Sequence, residues 1–403
     1  MQKRQSSCFL QEKKIKFDTP KLEGVKIPLA EKTKFLGVIF TPKLDWRQHI
    51  EERAKKAQAA FYSFRSAIGK TWGLSPKLTL WIYTAIVRPI LLYGVAVWWE
   101  ALETQSLTQI LNKVQRSVQL GISGAMKTTS SEILDIILDT PPVEIIGKEF
   151  AAKTAARLLT LKLWEEKDYG HSTILVKLKI PIKGIKIDYQ SSTHNFDKAY
   201  EVKYPSRSEW KRNEPIDDSN INIFTDGSKT GHGSGAGVWS KWQNTKYSYK
   251  LPNYATVFQS EIYAIEMACE LILSDYTIDR IINIFVHSQA ALKALEAPEI
   301  KSSLIERCAG KLGKVCNQNK VILQWVPGHS NIEGNELADL LARQGSSKHI
   351  SWATKLECPL ANITNMIIAK TKDICNRKWR ISTKGMIPKQ SGKVQTKHLQ
   401  QRS

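Results

Sequence analysis

The spacing of apolar residues divides the chain into two stretches with different periods. From Trp46 to about Ile68, apolar side chains recur at Ile50, Ala54, Ala57, Phe61 and Phe64, steps of three and four that predict a helix with one buried face. Ser75-Pro76 opens another helical stretch, the serine as N-cap and the proline at the first helical position. Leu107 to Leu120 repeats the amphipathic pattern at Leu107, Leu111, Val114 and Val118, and Gly121 and Gly124 close it. A short helix over 131–138 stops at Pro141-Pro142, and 143–165 is helical again. Before Trp46 only residues 31–45 read as extended, and 166–220 lose periodicity and read as an irregular linker.

At Ile221 the period becomes two. Ile221-Asn222-Ile223-Phe224-Thr225-Asp226 alternates as a strand does, and 236–242 and 245–250 predict two more strands, with the Gly231/Gly233/Gly235/Gly237 run as the turn between. Val257 to Leu273 is helical, with Ile262, Ile265, Ala268 and Ile272 on its buried face. Strands at 281–286 and 321–326 and helices at 288–295, 302–316 and 335–344 complete the order βββ-α-β-α-α-β-α. The expected fold is α/β: a five-stranded mixed sheet with helices on its faces, preceded by a mainly α region. Parallel crossovers in such a sheet gather strand ends on one side.

Charge sharpens this division. The 403 residues carry a net +21, and residues 1–220 hold +11, 221–350 only +1 and 351–403 +9. Two basic flanks around a near-neutral centre suit a polyanion, with nucleic acid first among the candidates. Six scattered cysteines without a CxxC argue against a disulfide scaffold and a structural zinc site. The 19-residue run Trp81–Trp99 is mostly apolar, but Arg88-Pro89 sits at its centre. A central Arg costs about 2.5–3.5 kcal/mol on insertion scales, so two buried helical pieces meeting at Pro89 are expected rather than a membrane span. With a polar N-terminus and no apolar core behind it, an intracellular location, cytoplasm or nucleus, is expected. Residues 384–403 hold too few apolar side chains to fold alone.

The candidate chemistry lies at the ends of the predicted α/β elements. Asp226 ends the first strand, Glu261 lies in the first turns of the following helix, and Asp339 lies in the last helix. His329 lies in the loop Pro327-Gly328-His329-Ser330 just before that helix. Three carboxylates drawn from distant positions make a hard-oxygen cage for Mg²⁺. Two such ions about 4 Å apart activate water and stabilise the leaving oxygen of a phosphodiester. A histidine beside the cage suits proton transfer.

Thr-Asp-Gly-Ser at 225–228, Gln-Ser-Glu-Ile-Tyr-Ala at 259–264, Ser-Gln-Ala-Ala-Leu at 288–292 and Trp-Val-Pro-Gly-His-Ser with Gly-Asn-Glu-Leu-Ala-Asp over 325–339 together resemble ribonuclease H type 1. The resemblance implies a ribonuclease H-like sheet over 219–347 that cuts the RNA strand of RNA–DNA hybrids. It implies two Mg²⁺ ions, Mn²⁺ being a possible substitute, with Asp226, Glu261 and Asp339 as ligands. His329 would be an auxiliary catalytic residue, and Gly227, Ser228 and Asn335 would meet the substrate. Upstream, Phe-Leu-Gly-Val (35–38), Leu44-Asp45-Trp46, the run 83–94, Leu-Asn-Lys-Val-Gln-Arg (111–116) and residues 121–129 resemble the end of a non-LTR retrotransposon reverse transcriptase. The domains expected are a truncated palm end and helical thumb over 1–165, a linker over 166–218, the ribonuclease H domain over 219–347 and a basic tail over 348–403.

Two departures from those families matter. The polymerase's Tyr/Phe-Ala-Asp-Asp box should precede Phe35, yet the residues before it contain one aspartate, Asp18, so no polymerase activity is expected. In the ribonuclease family the fourth strand ends in an aspartate, and here the run is Phe285-Val286-His287-Ser288-Gln289. An imidazole at that metal position is a poor Mg²⁺ ligand and suits Zn²⁺ or Mn²⁺ better. The expectation is a hydrolase with one metal position weakened and activity reduced or lost; the alternative is a catalytically dead nucleic-acid-binding remnant.

Overall fold

The computed structural model describes residues 21–26, 30–65, 74–163, 170, 173–181, 185–212, 215–328, 331–350 and 354–381. The chain forms two compact units, one of residues 1–156, 165–180 and 365–403, the other of 157–164 and 181–364.

The first unit is mainly helical. Helices α1 (Arg47–Arg65), α2 (Gln105–Ser123) and α3 (Val143–Thr160) are its longest elements before residue 165. The apolar stripes predicted for α1 and α2 are buried: Ile50, Ala54, Ala57 and Phe61 on one, Leu107, Leu111, Val114 and Val118 on the other. Two polar residues of α2 are buried with them. Gln115 and Gln119 donate through Nε2 to Asp135 Oδ1 at 2.9 and 2.6 Å, and Gln115 Oε1 accepts from the Tyr83 hydroxyl at 2.6 Å. Desolvation pushes the Asp135 carboxyl up to about 6 against the two amide donors, which favour its charged form.

The apolar run 81–99 folds as two pieces, but the break is not at Pro89. Ser75 Oγ accepts from Leu78 N and starts the helix Pro76–Ile82, which passes through a π-helical turn at Tyr83–Val87 into Arg88–Leu91. A widened turn relieves the proline's clash with the carbonyl one turn back, so the helix absorbs Pro89. The bend of 55° between the pieces falls instead around Gly94, whose φ of 69° is the left-handed conformation glycine adopts freely. Arg88 is buried, its guanidinium 4.9 Å from the centre of the Tyr83 ring. No single helix among the described residues is long and apolar enough to cross a membrane.

The second unit is built on a mixed six-stranded sheet. Its strands are β1 (Glu201–Lys203), β2 (Ile221–Thr230), β3 (Gly233–Ser240), β4 (Thr245–Leu251), β5 (Ile281–Val286) and β6 (Lys320–Trp325), in the order β1-β6-β5-β2-β3-β4. The first four in that order are parallel neighbours, and β2-β3-β4 form an antiparallel meander. Helices α4 (Val257–Ser274), α5 (Gln289–Glu296), α6 (Ser303–Cys316) and α7 (Glu333–Ser347) cover it. Alternation splits the sheet's side chains between two cores. Ile221, Ile223, Ala236 and Val238 join the cluster that contains buried residues of α4–α6, whereas Phe224 and Phe285 pack with Val326 and Ala338 of α7.

Two expectations about this unit change. The sheet has six strands, not five, because β1 comes from the stretch read as an irregular linker and pairs in parallel with β6. The same stretch adds Tyr200, whose hydroxyl donates to Leu295 O at 2.8 Å, and Trp210, whose indole donates to Trp325 O at 3.0 Å. Glycines 233, 235 and 237 are not a turn but the body of β3. A Cβ at Gly237 would lie 2.2 Å from Ala338 O, and one at Gly235 2.2 Å from Ser346 N. Glycine is what lets α7 lie directly on the strand.

The basic stretch after 348 also holds regular structure, helix α8 (Leu360–Ile381). Ile363, Ile367, Thr371 and Cys375 are buried along it at four-residue steps. From Asn365 onward it belongs to the first unit, where Thr371 Oγ1 donates to Glu149 Oε2 at 2.6 Å and Lys378 pairs with Glu144.

Candidate functional site

The site forms where parallel pairing stops. The last matched pair of β5 and β2 is Val286 with Thr225, so the next residues, His287 and Asp226, emerge side by side. Glu261 arrives from above on the second turn of α4, a helix started by a capping box of Thr256 and Gln259. Gly227 sets its depth: a Cβ there would lie 2.4 Å from Glu261 N, so any other side chain would push α4 off the strand.

Asp226, Glu261 and His287 each offer one ligand atom, all within 4.8 Å of one another. His287 Nδ1 lies 3.6 Å from Asp226 Oδ1 and 3.9 Å from Glu261 Oε1. The carboxylates are buried and the histidine side chain is 45% exposed, so the cluster opens to solvent on the imidazole side. Gly227 N donates to Asp226 Oδ1 at 2.7 Å and fixes that carboxylate. Glu261 Oε2 is buried and has no hydrogen-bond partner among the described residues. Burial first, and then the charge of Asp226, push the Glu261 carboxyl well above the ordinary carboxylate range. The contact with Asp226 raises the His287 imidazole above its usual value against desolvation.

Asp339 does not join this cluster. Arg343, one turn along α7, holds it through two bonds, Nε to Oδ1 at 3.0 Å and Nη2 to Oδ2 at 2.7 Å. Its carboxyl is raised all the same, by burial and by the charge of Asp226. Ser228 follows Gly227 on β2, half-buried. Asn335 is buried at the start of α7, its Oδ1 without a hydrogen-bond partner among the described residues. His329 lies outside the described residues.

Three residues to which the sequence reading gives no site role of their own shape the site. Gly328 backs the histidine ring: a Cβ there would lie 2.6 Å from His287 Nε2, which leaves Nδ1 to face the carboxylates. The Trp325 indole donates to His287 O at 3.1 Å and fixes the backbone beneath it. Arg343 is the third, and its spacing of four from Asp339 on a predicted helix was a readable signal. The other two contacts had none, because they join separate segments.

A pair of Mg²⁺ ions asks for an all-oxygen set shared among several carboxylates. Here the third donor is a nitrogen and the remaining carboxylate, Asp339, is tied to arginine, so the residues do not fit a two-Mg²⁺ cage. Two carboxylates and one imidazole around an open side do fit a single dication that accepts nitrogen.

Comparison with known proteins agrees with the reading of the sheet. Residues 218–347 match the family model for RNase H. That stretch is an RNase H domain, and its mixed sheet covered by helices is the RNase H-like fold. Across 135 residues the chain is 24% identical to a 115 kDa protein in type-1 retrotransposable element R1DM of Drosophila melanogaster, covering 34% of this chain and 13% of that relative. A retrovirus-related Pol polyprotein from type-1 retrotransposable element R1 3 of Nasonia vitripennis is 23% identical over 137 residues, 32% of this chain and 36% of its own length. A Pol polyprotein of the R1 element of Bradysia coprophila is 24% identical over 135 residues, 33% of this chain and 13% of its own. The chain is thus similar to R1 non-LTR retrotransposon Pol proteins at low identity, and the match spans well under two thirds of each of them.

Proposed function

We propose that the RNase H domain engages RNA–DNA hybrids and that its hydrolysis of the RNA strand in Mg²⁺ is lowered by orders of magnitude. The observation that carries this reading is the position of His287, with Nδ1 3.6 Å from Asp226 and 3.9 Å from Glu261. A bound dication would supply charge to polarise the phosphodiester and to acidify a water. The chain's own residues do the rest. Asp226 and Glu261 concentrate negative charge in a buried pocket, Asp339 adds a third carboxylate at its edge, and His329 moves a proton. Gly227, Ser228 and Asn335 lie against the substrate strand. Most of the +21 charge lies outside residues 221–350, where it attracts phosphates without crowding the carboxylates. The resemblance upstream, together with the retrotransposon relatives, supports a reverse-transcriptase-like region over 1–165.

A non-catalytic hybrid-binding remnant is the second reading, favoured by the same histidine and by the Arg343 grip on Asp339. Cleavage of an RNA–DNA hybrid in Mg²⁺ by the full chain and by His287→Asp separates the outcomes. Restoring the carboxylate should raise the rate about 100-fold or more, since metal charge stabilisation is worth several kcal/mol and each 1.4 kcal/mol is tenfold. Equal, robust rates in both proteins would overturn the impairment. Hybrid binding by both proteins without cleavage by either would favour the second reading.

A further inference from the structure

The donor set at the ends of β2 and β5 also determines which ion it selects. We infer that Asp226, Glu261 and His287 form a one-ion site for a nitrogen-accepting transition-metal dication of the Zn²⁺ class, and that it discriminates against Mg²⁺. The inference deepens the hybrid-directed reading above and rests on it for the site's use, though not for its chemistry.

Four observations carry it. First, the three donor atoms come from three different elements and still converge within 4.8 Å, with no ion pair to a lysine or arginine satisfying the buried pair among the described residues. Second, Glu261 is 2% exposed and its Oε2 has no hydrogen-bond partner among the described residues. A buried carboxylate oxygen without a donor is costly unless a cation meets it. Third, the imidazole is oriented and not loose. Gly328 packs against Nε2, the Trp325 indole holds the carbonyl of His287, and Nδ1 is the nitrogen turned to the carboxylates. Fourth, the histidine side is open, which leaves room for water or a substrate oxygen as a further ligand.

Two carboxylates, one imidazole and one open position make the three-plus-one arrangement of an accessible zinc site. Mg²⁺ demands near-ideal octahedral oxygen geometry and keeps its waters, so a nitrogen in a three-donor pocket gives it little. First-row transition ions gain from the nitrogen, Zn²⁺ more than Mn²⁺. Selection therefore comes from His287, and Gly328 acts as its positioning residue.

The test uses the full chain without nucleic acid. Zn²⁺ is titrated against a chromophoric chelator, Mg²⁺ is added as competitor, and Co²⁺ serves as a spectroscopic probe. The wild type should bind one Zn²⁺ that a 100-fold excess of Mg²⁺ fails to displace, about a 100-fold preference or more. His287→Asp should let Mg²⁺ compete and should change the Co²⁺ visible spectrum. His287→Gln should lose the Zn²⁺, and Gly328→Ala should weaken it with thermal unfolding unchanged. Displacement of Zn²⁺ by Mg²⁺ as readily from wild type as from His287→Asp would overturn the inference, as would unchanged Zn²⁺ binding in His287→Gln. Hybrid binding is measured separately. A chain that binds hybrid but no Zn²⁺ sinks this inference alone, and one that binds Zn²⁺ but no hybrid sinks the nucleic-acid reading alone.

Discussion

Asp339 is a carboxylate with two calls on its charge, the buried pair Asp226 and Glu261 on one side and Arg343 on the other. The arginine side chain is 61% exposed, so solvent screens the pair and its worth is at most about 1 kcal/mol. Arg343→Ala should free Asp339 toward the pocket and tighten dication binding about 2- to 5-fold, read as the midpoint of a Mn²⁺ titration. No change in that midpoint would show that Asp339 stays out of the site. A second single residue belongs to the first unit. Asp135 is raised from 3.8 to about 6 by burial, so the folded state holds its proton more tightly than the unfolded chain. Its contribution to stability is therefore greatest below about pH 4 and is lost as pH rises through about 6, a fall of up to about 3 kcal/mol. Asp135→Asn keeps an oxygen for Gln115 and Gln119 and should remove that pH-dependent component. The difference between wild-type and variant denaturation midpoints at pH 4 and pH 7 measures it, and a difference that does not grow with pH refutes it.

Among the elements, the contact of α7 with β3 does most to bring separate segments to one place. It was only half legible in the sequence. The period of two was plain from 221, but the four spaced glycines looked like a turn, because glycine is conformationally permissive wherever it occurs. What Gly235 and Gly237 share is a helix backbone lying on the strand, a contact between residues about one hundred positions apart. Gly237→Ala places a methyl 2.2 Å from Ala338 O, against backbone that cannot swing away. Overpacking of this kind costs about 1–3 kcal/mol or more, which chemical denaturation would register. Unaltered stability would mean that α7 shifts freely on the sheet. Helix α8 was missed for the opposite reason. Ile363, Ile367, Thr371 and Cys375 keep helical spacing, yet threonine and cysteine dilute the apolar stripe among the surrounding lysines and arginines. The break at Gly94 in place of Pro89 is a third case, since a π-helical turn has no signature in an apolar run.

At the scale of the molecule, the compact unit over 181–364 is larger than the RNase H match over 218–347. Asp188 holds the start of α6, with Oδ1 accepting from Ser303 Oγ at 3.0 Å and Leu304 N at 3.2 Å. Arg307 links buried Glu266 to Glu357, beyond the matched stretch. Tyr200 and Trp210 fill the two cores, and β1 covers the exposed edge of β6. A fragment of 219–347 should accordingly be several kcal/mol less stable than one of 181–364, since it bares two aromatic-sized cavities and a strand edge. Parallel thermal unfolding of the two fragments tests this, and equal midpoints would show that the flanking segments are dispensable. By itself the sequence determined the alternation that makes the strands, the spacing that makes most helices, the separation of charge, and the identity of the candidate site residues, with a histidine where the resemblance implies an aspartate. Those are local properties, written in neighbours a few residues apart. Only the tertiary structure decided that His287 turns Nδ1 to Asp226 and Glu261 while Asp339 turns to Arg343. That choice depends on strand register, on glycines that let helices approach, and on a backing residue from another segment, none of which a local pattern contains.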